Sequence, residues 1–257
     1  MSEWAKILAI ETSSRAGSVA LGVGGDLVME RVLPAGSRHA NALMPMVAGM
    51  MAEAGWKAGE LEQVYVSIGP GSFTGLRIAV AVARALAQAI GGGEGGVRLV
   101  AVPTLEVIAE NAPGEFGMVL PVLDAKRGQV FAGVYGRDAA GGLSAIELPQ
   151  VAAPEAIVEL ALGRAGRIAL LGEGVDYHRE RFAAAVGGGR VVEAARELWV
   201  PRAGVVHKLG YARAVRGEFT EAGALVPAYI RLPEAEEVYR RKHGGGSGQW
   251  SVVSSQK

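Results

Sequence analysis

Hydrophobic residues along the first half of the chain alternate between short runs and longer stretches of helical spacing. Runs of about five apolar residues predict strands, and a pair of them flanks Gly24-Gly25-Asp26, a sequence typical of a hairpin. Leu43, Met46 and Met50 recur at helical spacing. The predicted strands are 6–10, 18–23, 27–32, 64–68 and 98–102, and the predicted helices are about 43–51, from the glycine-rich residues 69–75 to about 90, and 104–111.

The same order of elements partly restarts near Gly117. Strands are predicted at 118–123, 129–135 and 167–171, with a turn at Asp124–Gly128, and helices at 154–162, 176–186 and 203–216. We therefore predict an α/β protein with two mixed units, the second less complete. The expected division is an N-terminal lobe at 1–112, a C-terminal lobe at 113–232 and a partly disordered extension at 233–257.

Composition narrows the function classes. The 26 lysines and arginines balance 26 aspartates and glutamates, so no overall positive field attracts nucleic acid to the chain alone. The absence of cysteine excludes disulfides, thiolate zinc sites and iron–sulfur clusters. The apolar stretch 78–90 is too short to span a bilayer, and the N-terminus lacks the pattern of a signal peptide. A soluble cytoplasmic protein is expected.

The strongest local motif is the glycine-rich loop between a predicted strand and a predicted helix. Gly69, Gly71 and Gly75 permit sharp turns and close approach to a ligand or another segment, and Ser72 or Thr74 can cap the helix. A helix start of this kind also favours anions. The alternative is a capped turn with no ligand, and no lysine completes a Walker motif.

The two helices that follow are unusually apolar, which predicts either core helices or a surface covered by a partner. On the second helix we assign Ile78, Val82 and Leu86 to the core and the smaller residues of the neighbouring stripe to the partner, and the reverse assignment is the alternative. The candidate interface residues on both helices are Met44, Val47, Met51, Arg77, Val80, Ala83, Arg84 and Ala87.

Four segments together resemble the TsaB (YeaZ) family. They are ILAIETSS at 7–14, SIGPGSFTGLRI at 67–78, LDAKRGQVF at 123–131 and PAYIR at 227–231. The resemblance implies the actin, sugar kinase and Hsp70 (ASKHA) fold, with two RNase H-like lobes of mixed sheets flanked by helices. Glu11 departs from the aspartate expected after the first strand.

The resemblance also implies a role. Family members are non-catalytic scaffold subunits that pair with the paralogue TsaD through first-lobe helices and, with TsaE, support threonylcarbamoyl transfer to adenosine 37 of tRNAs reading ANN codons. Such a chain is not an enzyme by itself, meets tRNA only through the complex and avoids the membrane. A homodimer through the same helices is the alternative arrangement when TsaD is absent.

Candidate ligand sites follow from the same comparison of motifs. The two-histidine metal motif of the paralogue corresponds to His39–Leu43, where leucine takes the second position, so no metal is predicted. No cofactor is expected either, although a vestigial nucleotide or anion loop leaves weak nucleotide binding open. The residues of that loop are Glu11, Thr12, Ser13, Gly69, Gly71, Ser72, Thr74, Gly75 and Asp124. The alternative for Asp124 is a structural role in a hairpin.

A different functional class remains as the competing hypothesis. It is a stand-alone ATP-dependent enzyme of the same fold or an M22-like metallopeptidase homologue. The incomplete histidine motif argues against the peptidase, and the weak acidic set argues against the ATP-dependent enzyme.

Overall fold

The structure is a computed structural model that describes residues 4–34, 39–90 and 96–230. The predicted extension at 233–257 lies outside these residues. The strands are β1 (Lys6–Glu11), β2 (Ser18–Val23), β3 (Asp26–Val32), β4 (Gln63–Gly69), β5 (Arg98–Pro103), β6 (Met118–Asp124), β7 (Val130–Arg137), β8 (Leu143–Ala152), β9 (Ile168–Leu171) and β10 (Val191–Glu193). The helices are α1 (His39–Glu53), α2 (Phe73–Ile90), α3 (Thr104–Ala109), α4 (Pro154–Leu162), α5 (Gly174–Tyr177), α6 (Arg179–Gly187) and α7 (Ala203–Val215), with single 3-10 turns at Ala58–Glu60 and Arg196–Leu198.

The two halves of the chain build five-stranded sheets of the same topology. The first has the order β3-β2-β1-β4-β5, and the second has the equivalent order β8-β7-β6-β9-β10. In each sheet the first three strands are antiparallel neighbours, and the fourth and fifth run parallel to the first. The expectation of a less complete second unit is therefore wrong in strand number.

The strands missed by the sequence patterns are the two edges of the second sheet. In β8 every residue is exposed or half-buried, so it lacks the apolar run of a buried strand. β10 has only three residues, too few for a period. The single helix predicted at 176–186 is two helices, because the backbone of His178 leaves the helical region at φ −128°.

The last helix of each half crosses to the other half. α7 packs on β1, β2, β4 and β5, where its small buried residues cover the face opposite α1 and α2. Gly210 makes this approach possible, since a Cβ there would lie 2.4 Å from the Tyr65 ring. α3 correspondingly packs on β6, β7 and β8 as well as on β4 and β5. The expected lobe boundary at residue 112 therefore assigns α7 to the wrong sheet.

α2 has the length and apolar composition of a membrane-crossing helix, but this is weak evidence because core helices share both properties. Its residues Gly75, Ala79 and Ala83 recur every fourth position and are buried, and α2 packs on β4. The small side chains permit close approach to the sheet.

Candidate functional site

A cleft of about 670 Å³ lies between the two lobes. Its first-lobe wall is formed by the residues after β1 and the loop before α2, and its second-lobe wall by the β6–β7 turn. The duplicated topology explains this meeting, because β1 and β6 hold equivalent positions in the two sheets. Of the predicted ligand-loop residues, Ser13, Gly71, Ser72 and Asp124 line the cleft.

The glycine-rich loop is built to approach the end of β1. Gly69 has φ +112°, and the Gly69–Pro70 peptide is cis. The backbone N–H of Ser72 donates to the carbonyl of Ser13 at 2.7 Å, and a Cβ on Gly71 would lie 2.5 Å from that carbonyl oxygen. The glycine at position 71 is thus required for contact between two segments of the protein.

Ser72 caps α2, as one of the two predicted candidates. Its Oγ accepts the backbone N–H of Gly75 at 3.3 Å, which satisfies one free donor of the first turn. The carbonyl of Gly75 accepts the hydroxyl of the buried Thr12 at 2.8 Å. Thr74 is exposed and lies outside the cleft lining. Thr12, Ser72 and Gly75 therefore fix the start of α2.

Glu11 lies beneath the cleft and is fully buried. Its Oε1 accepts the backbone N–H of Ser13 at 2.5 Å. Burial raises the pKa of this carboxyl above its usual range, and hydrogen bonds with Ser13 and Ser67 oppose the rise. Glu11, the predicted first acidic residue, is therefore shielded from solvent and does not line the cleft.

Replacing Glu11 by glutamine should make stability less dependent on pH. A carboxyl whose pKa is raised by folding contributes its full stability below the unfolded pKa and loses it as pH rises through the folded value. Glu11→Gln cannot ionise, so we expect it to gain stability relative to the natural chain between pH 5 and pH 8. Urea unfolding at both pH values measures this difference. Glu180→Gln, at an exposed position of α6, is the control. The prediction is contradicted if the stability of Glu11→Gln relative to the natural chain is the same at pH 5 and at pH 8.

In the β6–β7 turn, the carboxylate of Asp124 accepts hydrogen bonds from a residue of the same turn. Lys126 donates to Asp124 through its backbone at 2.9 Å and through Nζ at 2.6 Å, and His178 Nε2 lies 3.2 Å from Asp124 Oδ1. Burial alone would raise the pKa of Asp124, but these hydrogen bonds lower it. Lys126 and Arg127 have φ values of 61° and 54° in this tight turn. The structural alternative for Asp124 is therefore the one that the geometry favours.

These acidic groups do not fit a magnesium-bound nucleotide. Such a site needs carboxylates turned toward the metal, whereas Glu11 is sealed and both oxygens of Asp124 already have cationic or N–H partners. Within the described ranges, no group of three or more histidine, aspartate and glutamate residues is placed to hold a metal ion.

The structure corrects the predicted partner face of α1 and α2. Val47, Met51, Val80 and Ala83 are buried in the first-lobe core, and Ala87 is half-buried, whereas Met44, Arg77 and Arg84 are exposed. The larger residues Ile78, Val82 and Leu86 are half-buried at the edge of the contact. A different apolar surface, which we call the α1–α2 face, is exposed and comprises Met44, Pro45, Ala48, Gly49, Ala52, Ala81, Ala85 and Ala89.

The sequence patterns missed an aromatic cluster at the mouth of the cleft. The ring of Phe73 lies 5.2 Å from that of Tyr229, and the Arg77 guanidinium stands 4.0 Å above Phe73. Arg77 Nε donates to the Tyr229 hydroxyl at 3.1 Å, and the N–H of Ala228 donates to Ile68 at 2.7 Å. The contact between the segment PAYIR and α2 joins residues 152 positions apart in the chain, so the spacing of the motif does not predict it.

Comparison with known proteins places this architecture in a family. The model of the TsaD family, tRNA N6-adenosine threonylcarbamoyltransferase, matches residues 33–237. The TsaB protein of Bacillus subtilis is 30% identical over 236 residues, covering 90% of this chain and 96% of that protein. Escherichia coli TsaB is 32% identical over 171 residues, covering 66% and 71%.

Solved structures agree with the sequence matches. Two YeaZ-type structures from Pseudomonas aeruginosa, one of them described as similar to the peptidase YeaZ, superpose with TM-scores of 0.73 and 0.70. Their identities are 28% and 26%, and each comparison covers 88% of this chain and at least 99% of the other. The two lobes, the ordered motifs and these matches together show that the chain belongs to the TsaB (YeaZ) family of tRNA threonylcarbamoyladenosine biosynthesis proteins.

Proposed function

We propose that this chain is a non-catalytic cytoplasmic subunit that binds TsaD and, with TsaE, supports threonylcarbamoyl transfer to adenosine 37 of tRNAs reading ANN codons. Its role in threonylcarbamoyladenosine biosynthesis comes from the family. The geometry of the acidic residues at the cleft supports the proposal that the chain acts as a scaffold without a resident cofactor or metal.

The main support for this proposal is that the carboxylate of Asp124 is already bound by Lys126 and His178. A residue that acts on a nucleotide or a metal must present its oxygens to the ligand. Asp124 instead shapes the β6–β7 turn through Lys126 and lies against His178. Opening this cluster would leave a half-buried carboxylate without its cationic partner, which is costly. The arrangement supports a structural role for the cleft.

The α1–α2 face supports a partner-binding role. Its residues are exposed and mostly small, and the two helices that carry them pack against each other. Small side chains permit close helix–helix approach, and methionine adapts to different partners. The same face would serve a homodimer when TsaD is absent. The balanced charge of the chain is in keeping with tRNA contact through the complex alone.

Reconstitution on unmodified tRNA tests the proposal. We expect TsaD, TsaE and the threonylcarbamoyl donor to modify tRNA only when this chain is added, and the chain alone to show no ATP hydrolysis with magnesium. Co-elution with TsaD measures the complex directly. ATP hydrolysis by the chain alone that is lost in Asp124→Asn would instead favour the stand-alone ATP-dependent enzyme.

A further inference from the structure

A second cavity, with a volume of about 390 Å³, lies where α3, α7 and the turn between β7 and β8 meet. It shares no described lining residue with the interlobe cleft, so the two are separate sites. α7 packs on the first sheet, whereas β7 and β8 belong to the second. A molecule bound here would therefore contact elements of both lobes. The volume lies within the range of small-molecule sites, about 300–1,000 Å³.

The wall of this cavity includes a phenol hydroxyl without a hydrogen-bond partner. Tyr135 on β7 is only 1% exposed, and its hydroxyl oxygen is buried with no partner among the residues that the structure describes. Burial raises the pKa of Tyr135, and the nearby Glu106 adds to the rise while Arg213 opposes it. Because Glu106 and Arg213 also line the cavity, the hydroxyl lies at its wall. Native structures rarely leave such a donor unpaired, so an acceptor atom of a bound molecule would complete it.

Charges of both signs surround this hydroxyl. α3 contributes the carboxylates of Glu106 and Glu110, and the end of α7 contributes the guanidinium groups of Arg213 and Arg216. Glu106 binds Arg213 through Oε2, and Glu110 binds Lys208 through Oε1. The second oxygen of each glutamate accepts no hydrogen bond within the described part of the chain. The two negative and two positive lining groups balance, so the cavity favours a molecule that carries both charges over a simple cation or anion.

The spacing of these groups defines the class of that molecule. Glu106 and Arg213 are in direct contact, so positions suited to a cation and to an anion are adjacent in the cavity. A single carbon separates the ammonium and carboxylate groups of an α-amino acid, which matches this arrangement. Leu143 and Leu209 provide an apolar part of the wall for its side chain.

We propose that this cavity binds a free α-amino acid. The Tyr135 hydroxyl donates to the carboxylate of the ligand, which also faces Arg213, and the ammonium group of the ligand faces Glu110. Hydrogen bonds between such charged groups are stronger than neutral ones, which suits a site of small volume. This proposal goes beyond the scaffold function and does not depend on it.

Calorimetric titration of the full chain with each of the common L-amino acids tests the site. We expect at least one of them to bind at concentrations up to about 10 mM. Its N-acetyl derivative lacks the ammonium charge and its amide lacks the carboxylate, so each should bind about tenfold more weakly or worse. The proposal is overturned if no amino acid binds, or if either derivative binds as tightly as the parent amino acid.

Tyr135→Phe tests the role of the hydroxyl. Since this hydroxyl has no described partner, its removal should leave the melting temperature unchanged or higher, and affinity for the amino acid should fall about tenfold or more. Tyr65→Phe is the matched control. The buried Tyr65 hydroxyl donates to Gln63 at 2.6 Å outside the cavity lining, so this variant should lose stability and keep its affinity. Unchanged affinity in Tyr135→Phe, or an equal loss in Tyr65→Phe, would overturn the proposal.

Discussion

Single glutamate substitutions at two nearby positions of α2 should affect different properties. The Ala83→Glu variant should fail to fold, whereas the Ala85→Glu variant should fold normally and lose its binding to TsaD. Ala83 is fully buried in the first-lobe core, and Ala85 is exposed on the α1–α2 face. The pair therefore separates the contribution of a position to folding from its contribution to binding.

In both variants the cost is the desolvation of a carboxylate. It opposes folding in Ala83→Glu and binding to TsaD in Ala85→Glu. A carboxylate at Ala83 must be desolvated when the chain folds, which costs several kcal/mol and is a large part of the stability of a domain. A carboxylate at Ala85 stays hydrated until the partner covers it. Leaving it unpaired in that contact should weaken binding by about a hundredfold or more.

Melting curves and co-elution with TsaD measure the two effects. Ala140→Glu, an exposed alanine of the second lobe, is the matched control and should change neither property. We expect threonylcarbamoylation of tRNA to fall together with TsaD binding in Ala85→Glu. Full TsaD binding by a folded Ala85→Glu variant would remove the α1–α2 face from the interface.

Among glycine-to-alanine substitutions in the second lobe, each of which adds one methyl group, Gly172→Ala should reduce stability the most. Gly172 has φ +110° and follows β9, and a Cβ there would lie 2.2 Å from the carbonyl oxygen of Val122. Val122 belongs to β6, the central strand of its sheet, and cannot move aside without disturbing both neighbours. Backbone strain and this clash together should cost about 3 kcal/mol or more.

Gly141→Ala is the matched control for the strain alone. Gly141 has φ +87°, but a Cβ there would meet no atom within 4 Å. Its substitution should cost about 1 kcal/mol. Urea unfolding of the two variants gives the comparison, and similar losses for both would mean that the approach of residue 172 to β6 does not limit stability.

The periodic patterns predicted most elements because their buried faces are apolar and uninterrupted. The choice of core face on α2 failed for a physical reason. Larger side chains were assigned to the core, but the helix approaches β4 through Gly75, Ala79 and Ala83, where small residues allow close packing. Ile78 and Val82 then lie at the edge of the contact. Helical spacing defines the stripes but does not say which one meets the sheet.

The cleft illustrates a second limit of sequence reasoning. The motifs containing Gly71 and Asp124 were recognised, but their surroundings depend on contacts distant in the chain. Ser72 bonds to Ser13, and Asp124 meets His178 only because β6 and α5 are neighbours in the folded lobe. These partners explain the local geometry of both motifs.

The exchange of α3 and α7 between the sheets affects the order in which the protein can be completed during synthesis. The inner face of the first sheet, which includes Tyr65 and Val100, is covered by α7. A ribosome that has released only residues 1–112 has therefore exposed a sheet whose covering helix has not been made. The first lobe finishes its core only after the second lobe has emerged, so the two mature together and a cut between them yields two incomplete halves.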